Sequence, residues 1–116
     1  MVEEDVANYI AMNTSLVTGT DLFLNQLPAN TPEGAAVRVI RSPKPWGNLT
    51  TTLISIFIFY NSFVTNRNLV DSLVILFNDY RGSLGSWSIS GQVSWSNYGK
   101  DDYDRYVTSV NIEISH

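Results

Sequence analysis

Asp101, Asp102 and Asp104, in the run GKDDYDRY, put three carboxylates close together, the donor type that hard cations and acid–base chemistry both use. Such a cluster invites comparison with a calcium loop or a catalytic carboxylate pair. The oxygen-ligand order of an EF-hand is missing, however, and acidic runs in loops are ordinarily just solvated. His116 is the single histidine and the last residue, so a triad, an imidazole base or a histidine metal cluster would have to be built on a chain end. With no cysteine in the sequence, disulfides, thiolate metal sites and cysteine nucleophiles are excluded. No GxGxxG, P-loop or GxSxG run occurs, which removes the common phosphate cradles and the serine-hydrolase elbow. The reading is therefore of a non-enzyme, with no catalytic, cofactor-binding or metal residue and no cofactor assigned.

Aromatic rings offer the other chemistry, large contact area at low entropic cost. Trp87 and Trp95 share strand parity with Ile89 and Val93 and are expected in the core. Trp46, between Pro45 and Gly47, and Tyr98 and Tyr103, in a polar stretch, have no such partners in sequence. Together with Arg41 and Lys44 on one segment and Asp101, Asp102 and Asp104 on another, they form the candidate contact surface. The sequons Asn13-Thr14-Ser15 and Asn48-Leu49-Thr50 are discounted as chance matches in an Asn- and Thr-rich chain.

These residues need elements to hold them. The run Leu53 to Tyr60, LISIFIFY, is apolar on both parities: Ile54, Ile56, Ile58 and Tyr60 on one, Leu53, Phe57 and Phe59 on the other. It reads as a central strand needing cover on both faces. A helix follows, capped by Thr65 or Asn66 and running to about Tyr80, with Leu69, Val70, Leu73, Val74, Phe77 and Tyr80 as its buried stripe. Gly82 stops it. Before the central strand come a short helix from Val2 to about Met12, with Glu3, Glu4 and Asp5 at its positive end, a strand over Leu22 to Leu27, a loop over Pro28 to Gly34 and a strand over Ala35 to Arg41. Pro43 and Pro45 argue that Ser42 to Asn48 is neither strand nor helix. After the long helix, Ser86 to Ser96 alternates as a half-wet strand bent at Gly91, and Ser96 to Asp104 reads as a polar loop. Arg105 to Ser115 forms a last strand with Thr108, Val110, Ile112 and Ile114 inward and Ser109, Asn111 and Glu113 outward. The sum is an α+β fold: a mixed, mostly antiparallel sheet of about five strands, a long helix on one face and a short N-terminal helix.

Length and charge bound the rest. At 116 residues the chain is one domain, residues 1–116, able to bury roughly two thirds of the surface its unfolded form exposes. Seven basic residues are scattered against eleven acidic ones, a formal charge of −4, with no basic stripe for phosphates. Tight nucleic-acid binding is disfavoured. LISIFIFY is too short to span a bilayer, where a helix needs about 20 apolar residues. The start, MVEEDVANYI, is acidic where a secretory signal is basic, so export by that route is not expected.

The order of elements resembles the tail terminator proteins of long-tailed bacteriophages, also called tail-to-head joining or minor capsid proteins. Three segments carry the likeness: LISIFIFYNSFVTNRNLVDSLVILFNDYRG, the strand SWSIS, and GKDDYDRYVTSVNIEIS with its glycine, polar turn, arginine and alternating strand. The resemblance implies a virion protein at the head–tail junction, assembled in the cytoplasm of the host bacterium. It would cap the tail tube as a ring of six copies and meet the tail tube protein on one side and the head-completion or connector protein on the other. DNA would pass through the channel without specific binding, and no membrane is involved. A ring needs one patch to meet a different patch on the neighbour. The Arg41, Lys44, Trp46 segment and the Asp101, Asp102, Asp104 segment have opposite signs and are candidates for those patches. Two other classes stand beside this reading: a carbohydrate- or protein-binding module using loop aromatics, and a small enzyme using the acidic cluster with a metal.

Overall fold

A computed structural model describes residues 2–46, 49–78, 88–89 and 93–115, with the side chains of residues 2, 41–46, 49–51, 88–89 and 115 outside that description. Helix α1 spans Val2–Asn13, and its first-turn acids Glu3, Glu4 and Asp5 meet the positive end of the helix. Its last carbonyls are satisfied locally, since Asn13 Nδ2 donates to Tyr9 O at 2.8 Å and Thr14 Oγ1 to Ile10 O at 2.8 Å. Strands β1 (Leu22–Leu24), β2 (Gly34–Trp46) and β3 (Leu49–Tyr60) follow, then helix α2 (Phe63–Asn78), and finally β4 (Ser88–Ile89), β5 (Ser94–Lys100) and β6 (Tyr106–Ser115).

The strands form one sheet in the order β1-β2-β3-β6, with β4 and β5 both paired along the outer side of β6. Among the described strands β1–β2 is parallel and the other pairings are antiparallel. The fold is thus α+β, as the periodicities require. Ile54, Ile56 and Ile58 of β3 are fully buried with Ala35, Val37, Val110, Ile112 and Ile114 of the flanking strands. On that face lie Val6, Ala7 and Ile10 of α1 and Val70, Leu73 and Phe77 of α2, so both helices share one side of the sheet and one core. The rings of Tyr9 and Phe77, 5.7 Å apart, join the helices.

Several expectations are corrected. Ser42 to Trp46 is strand, not an irregular connection: Lys44, Pro45 and Trp46 pair Thr51, Thr50 and Leu49. The prolines are accommodated because of where their nitrogens fall. Ala35 N donates to Asp21 O and Val37 O accepts from Asn25 N, so these peptide groups face away from β3. Alternation along β3 then turns Thr50 toward β6, which leaves its partner Pro45 with its nitrogen on the free side of β2. Pro43 falls in the register shift between Arg41 and Lys44. The expected loop from Ser96 is also strand, since Ser94–Lys100 pairs β6. The first strand ends at Leu24 because Asn25 adopts φ 73°, outside extended geometry.

The cap of α2 is Ser62, whose Oγ accepts from Thr65 N at 3.3 Å, rather than Thr65 or Asn66. Asn66, 3 % exposed, instead ties α2 to the sheet: Nδ2 donates to Ile58 O and Tyr106 O, and Oδ1 accepts from Thr108 Oγ1. Trp95 is 42 % exposed, not core, and lies under the Arg67 guanidinium at 4.5 Å. Ser109, expected outward, is fully buried. The expectations at Trp87, Gly91, Tyr80 and Gly82 fall outside the described residues.

The requirement that β3 be covered on both faces meets a different answer. No described helix lies on the second face. Phe57 and Phe59 are half-buried there under groups from the sheet itself: Arg38 sits 5.2 Å from the Phe57 ring, Arg105 4.8 Å from the Phe59 ring, and Tyr98 stacks on Phe57. Guanidinium groups can cover aromatic faces and remain hydrated at their rims, so a strand apolar on both parities does not need a second layer.

Candidate functional site

The candidate residues separate into two groups at opposite ends of the sheet. In β3, Thr51 pairs Ser115 and Tyr60 pairs Tyr106, so the turn preceding β6 lies at the Tyr60 end. Arg41, Lys44 and Trp46, opposite Leu53, Thr51 and Leu49, lie toward the other end. The molecule measures 44 × 24 × 24 Å. A strand of this length at about 3.3 Å per residue covers most of the long dimension.

At the Tyr60 end, the turn between β5 and β6 is organised by Asp101. Its Oδ1 accepts from Tyr103 N at 2.9 Å and Arg105 N at 3.0 Å, and its Oδ2 from Arg105 Nε at 2.9 Å, with Arg105 Nη2 at 2.8 Å. Burial pushes the Asp101 carboxyl up, but the hydrogen bonds from Arg105 and the two backbone amides together hold it below the usual carboxylate range. Asp104 adopts φ 61° and pairs Lys100 Nζ at 3.0 Å, which raises the lysine above its ordinary value. Asp102 is exposed and has no ion pair among the described residues. Asp101 and Asp104 therefore serve different partners. Among the described residues, no three acidic or histidine side chains converge where a metal could sit.

Arg105 also reaches out of the turn. Its guanidinium lies between the rings of Phe59 and Tyr103, 4.8 and 5.2 Å away, and Nη1 donates to Pro32 O at 3.1 Å. The loop before β2 is thus fastened to the turn before β6. Glu33 accepts from Asn61 N at 2.9 Å, fixing the same loop to the end of β3. Between these anchors lies an open cleft of about 760 Å³ walled by Pro28, Pro32, Glu33, Phe59, Tyr103 and Arg105. Its volume is within the range of small-ligand and side-chain pockets, roughly 300–1,000 Å³. Nearby, burial and then the carboxylates of Asp21 and Glu33 push the Tyr60 phenol up.

Tyr98 joins the second sheet face, stacked on Phe57 with its hydroxyl 3.2 Å from Ser109 Oγ, while Tyr103 is 79 % exposed at the cleft mouth. Tyr98, Asp101, Asp102, Tyr103 and Asp104 are thus brought together; Arg41, Lys44 and Trp46 are not with them. Sequence reasoning missed Arg105, Glu33, Phe59 and Arg38. A usable signal existed for two of them: Phe57 and Phe59 share the parity of Ser55, and an arginine on a neighbouring strand is a natural cover for such rings. No family model and no curated protein matches this chain.

Proposed function

We propose that this chain is a structural virion protein of a long-tailed bacteriophage. It caps the tail tube and joins it to the head connector as a ring, six-membered by the resemblance, around a DNA channel. The observation that carries the reading is polarity. Arg41 and Lys44 occupy one end of the sheet and the Asp101–Asp104 turn the other, so copies set head to tail bring unlike charges together, which is the arrangement a heterologous ring contact requires. The residue patterns of LISIFIFY with its helix and of the final alternating strand support it, and both lie in the one core. The partners are other copies of itself, the tail tube protein and the head-completion protein, with DNA passing unheld. The role is assembly rather than catalysis.

The test is electron microscopy of the protein mixed with tail tubes. Rings seated on tube ends, and tubes that stop growing when the protein is added, are expected; unbound tubes that elongate regardless would overturn the reading. A second reading, a carbohydrate- or protein-binding module, is favoured by the cleft beside exposed Tyr103. Saturable binding on a glycan array, abolished by Tyr103→Ala, would favour it over the ring.

A further inference from the structure

We infer that the cleft between Pro28–Glu33 and Tyr103–Arg105 is the socket for the β2–β3 hairpin end of the next copy, the segment carrying Arg41, Lys44 and Trp46. The inference rests on the ring reading and adds to it the seat of the contact. Three observations converge on a second copy as the occupant.

The first is topology. The hairpin end and the cleft lie at opposite ends of β3, so a chain cannot fill its own cleft, whereas a copy displaced along the long axis can. Every copy then offers one plug and one socket, and the contact repeats until a full turn closes it. The second is charge. From Val39 to Ile54, the paired arms of the hairpin, the chain has no acidic residue and carries Arg41 and Lys44. Glu113, opposite Leu53, is the acid nearest in register to Arg41. At the cleft end, Glu33, Asp101, Asp102 and Asp104 outnumber Arg38, Lys100 and Arg105, and Asp102 has no ion pair among the described residues. The third is the cleft wall. Pro28, Pro32, Phe59 and Tyr103 are flat or rigid apolar surfaces, and Arg105 between two rings is held by Asp101 and the Pro32 carbonyl. A pre-formed pocket of mixed wall, with apolar rings and prolines beside polar and acidic groups, suits an aromatic anchor flanked by cations, the residue types that dominate interface energy.

Because the chain has no cysteine, the contact can be trapped directly. Asn48→Cys and Asn30→Cys chains, which keep Trp46 and Tyr103 and place the thiols two positions after Trp46 in sequence and on the exposed cleft wall, are prepared separately, checked for native melting, mixed and treated with a short bismaleimide. The mixed pair should cross-link about tenfold more than either chain alone, a ratio that corresponds to about 1.4 kcal/mol of preference. A chain carrying both substitutions should give a ladder of covalent oligomers that ends at a closed species. Like pairs cross-linking as readily as the mixed pair, or a doubly substituted chain that remains monomeric, would overturn the socket. Tail termination separates this from the ring reading itself. If Trp46→Ala and Tyr103→Ala chains still cap tubes as rings, the socket fails and the function stands; if the ladder forms but tubes are never capped, the socket stands and the function fails.

Discussion

At the scale of single residues, the interior is decided by a few side chains whose substitution has a calculable cost. Phe77 is 2 % exposed, packed on Tyr9 and within the core that holds Ile56, Ile58 and Leu73. Phe77→Ala should therefore cost about 3–5 kcal/mol in denaturant melts; a loss under about 1 kcal/mol would mean the ring is not core. Asn66 makes a sharper case, because its amide serves two carbonyls and a hydroxyl in a buried place. Asn66→Ala would leave those groups unsatisfied, at about 1–3 kcal/mol each before relaxation, so a loss of about 2 kcal/mol or more is expected from urea unfolding. Periodicity made the Phe77 stripe readable in the sequence. Asn66 was misread as a cap, because an asparagine near a helix start has the same local signature whether its amide turns back to its own helix or across to a sheet. Asp101 was read as one of three solvated acids, and only Arg105 four residues on distinguishes it. Its carboxyl is held low in the folded chain, so the stabilisation is present above the ordinary carboxylate range and is lost as the pH falls below it. Amide signals of Tyr103 and Arg105 should accordingly stay native at pH 5 and change together with Asp101 protonation in stronger acid. A titration midpoint at or above the free carboxylate value, about 3.9, would contradict the clamp.

At the scale of elements, what was legible and what was not divides by how each strand is buried. β3 and β6 stand out because a core face writes an apolar alternation into the sequence; Ile54, Ile56, Ile58 and Val110, Ile112, Ile114 are all fully buried. β5 has no such face. Its seven residues, SWSNYGK, are all exposed and it is held by pairing with β6, so from Ser96 onward serine, asparagine and glycine give it the look of a loop. The end of β2 was hidden by its prolines, which are tolerated on one side of an edge strand but weigh against any strand when direction is unknown. The same geometry makes a prediction for β5. Val37 faces away from β3, so the pairs Val37–Ile56 and Val110–Trp95 leave the Trp95 peptide groups, and by alternation those of Asn97, on the outer edge, while Ser96 faces β6. Ser96→Pro should destabilise clearly more than Asn97→Pro, because only the former removes a ladder bond. Equal losses in thermal melts would show that the parity is wrong. Gly34 is fixed by another constraint: a Cβ there would lie 2.8 Å from the Asp21 carbonyl oxygen, at φ 150°, so even alanine should push β1 and β2 apart.

At the scale of the whole molecule, the proposed ring makes two electrostatic predictions. A formal charge of −4 with dispersed cations should let duplex DNA bind no tighter than non-specific contacts, roughly 10⁻⁴ to 10⁻⁶ M at physiological salt. Salt-resistant nanomolar binding in an anisotropy assay would contradict a channel that DNA must slide through. In the proposed ring, contact between copies is the opposite case, because unlike ends would guide association and register even when rim charges add little affinity. Lys44 lies in the hairpin arm and Asp102 in the far turn, and Asp102 is the proper partner for a swap because Asp101 is engaged by Arg105 and Asp104 by Lys100. Lys44→Glu sets like charges face to face and should weaken capping of tail ends, read as tubes that grow too long in an assembly reaction. Asp102→Lys in the same chain restores the opposite signs and should shorten them again, without itself lowering the melting temperature because Asp102 is exposed. The recovery is what distinguishes a contact between the two ends from a general loss of charge. Normal tail lengths with Lys44→Glu, or no recovery on adding Asp102→Lys, would remove the end-to-end contact while leaving open a ring built on another surface.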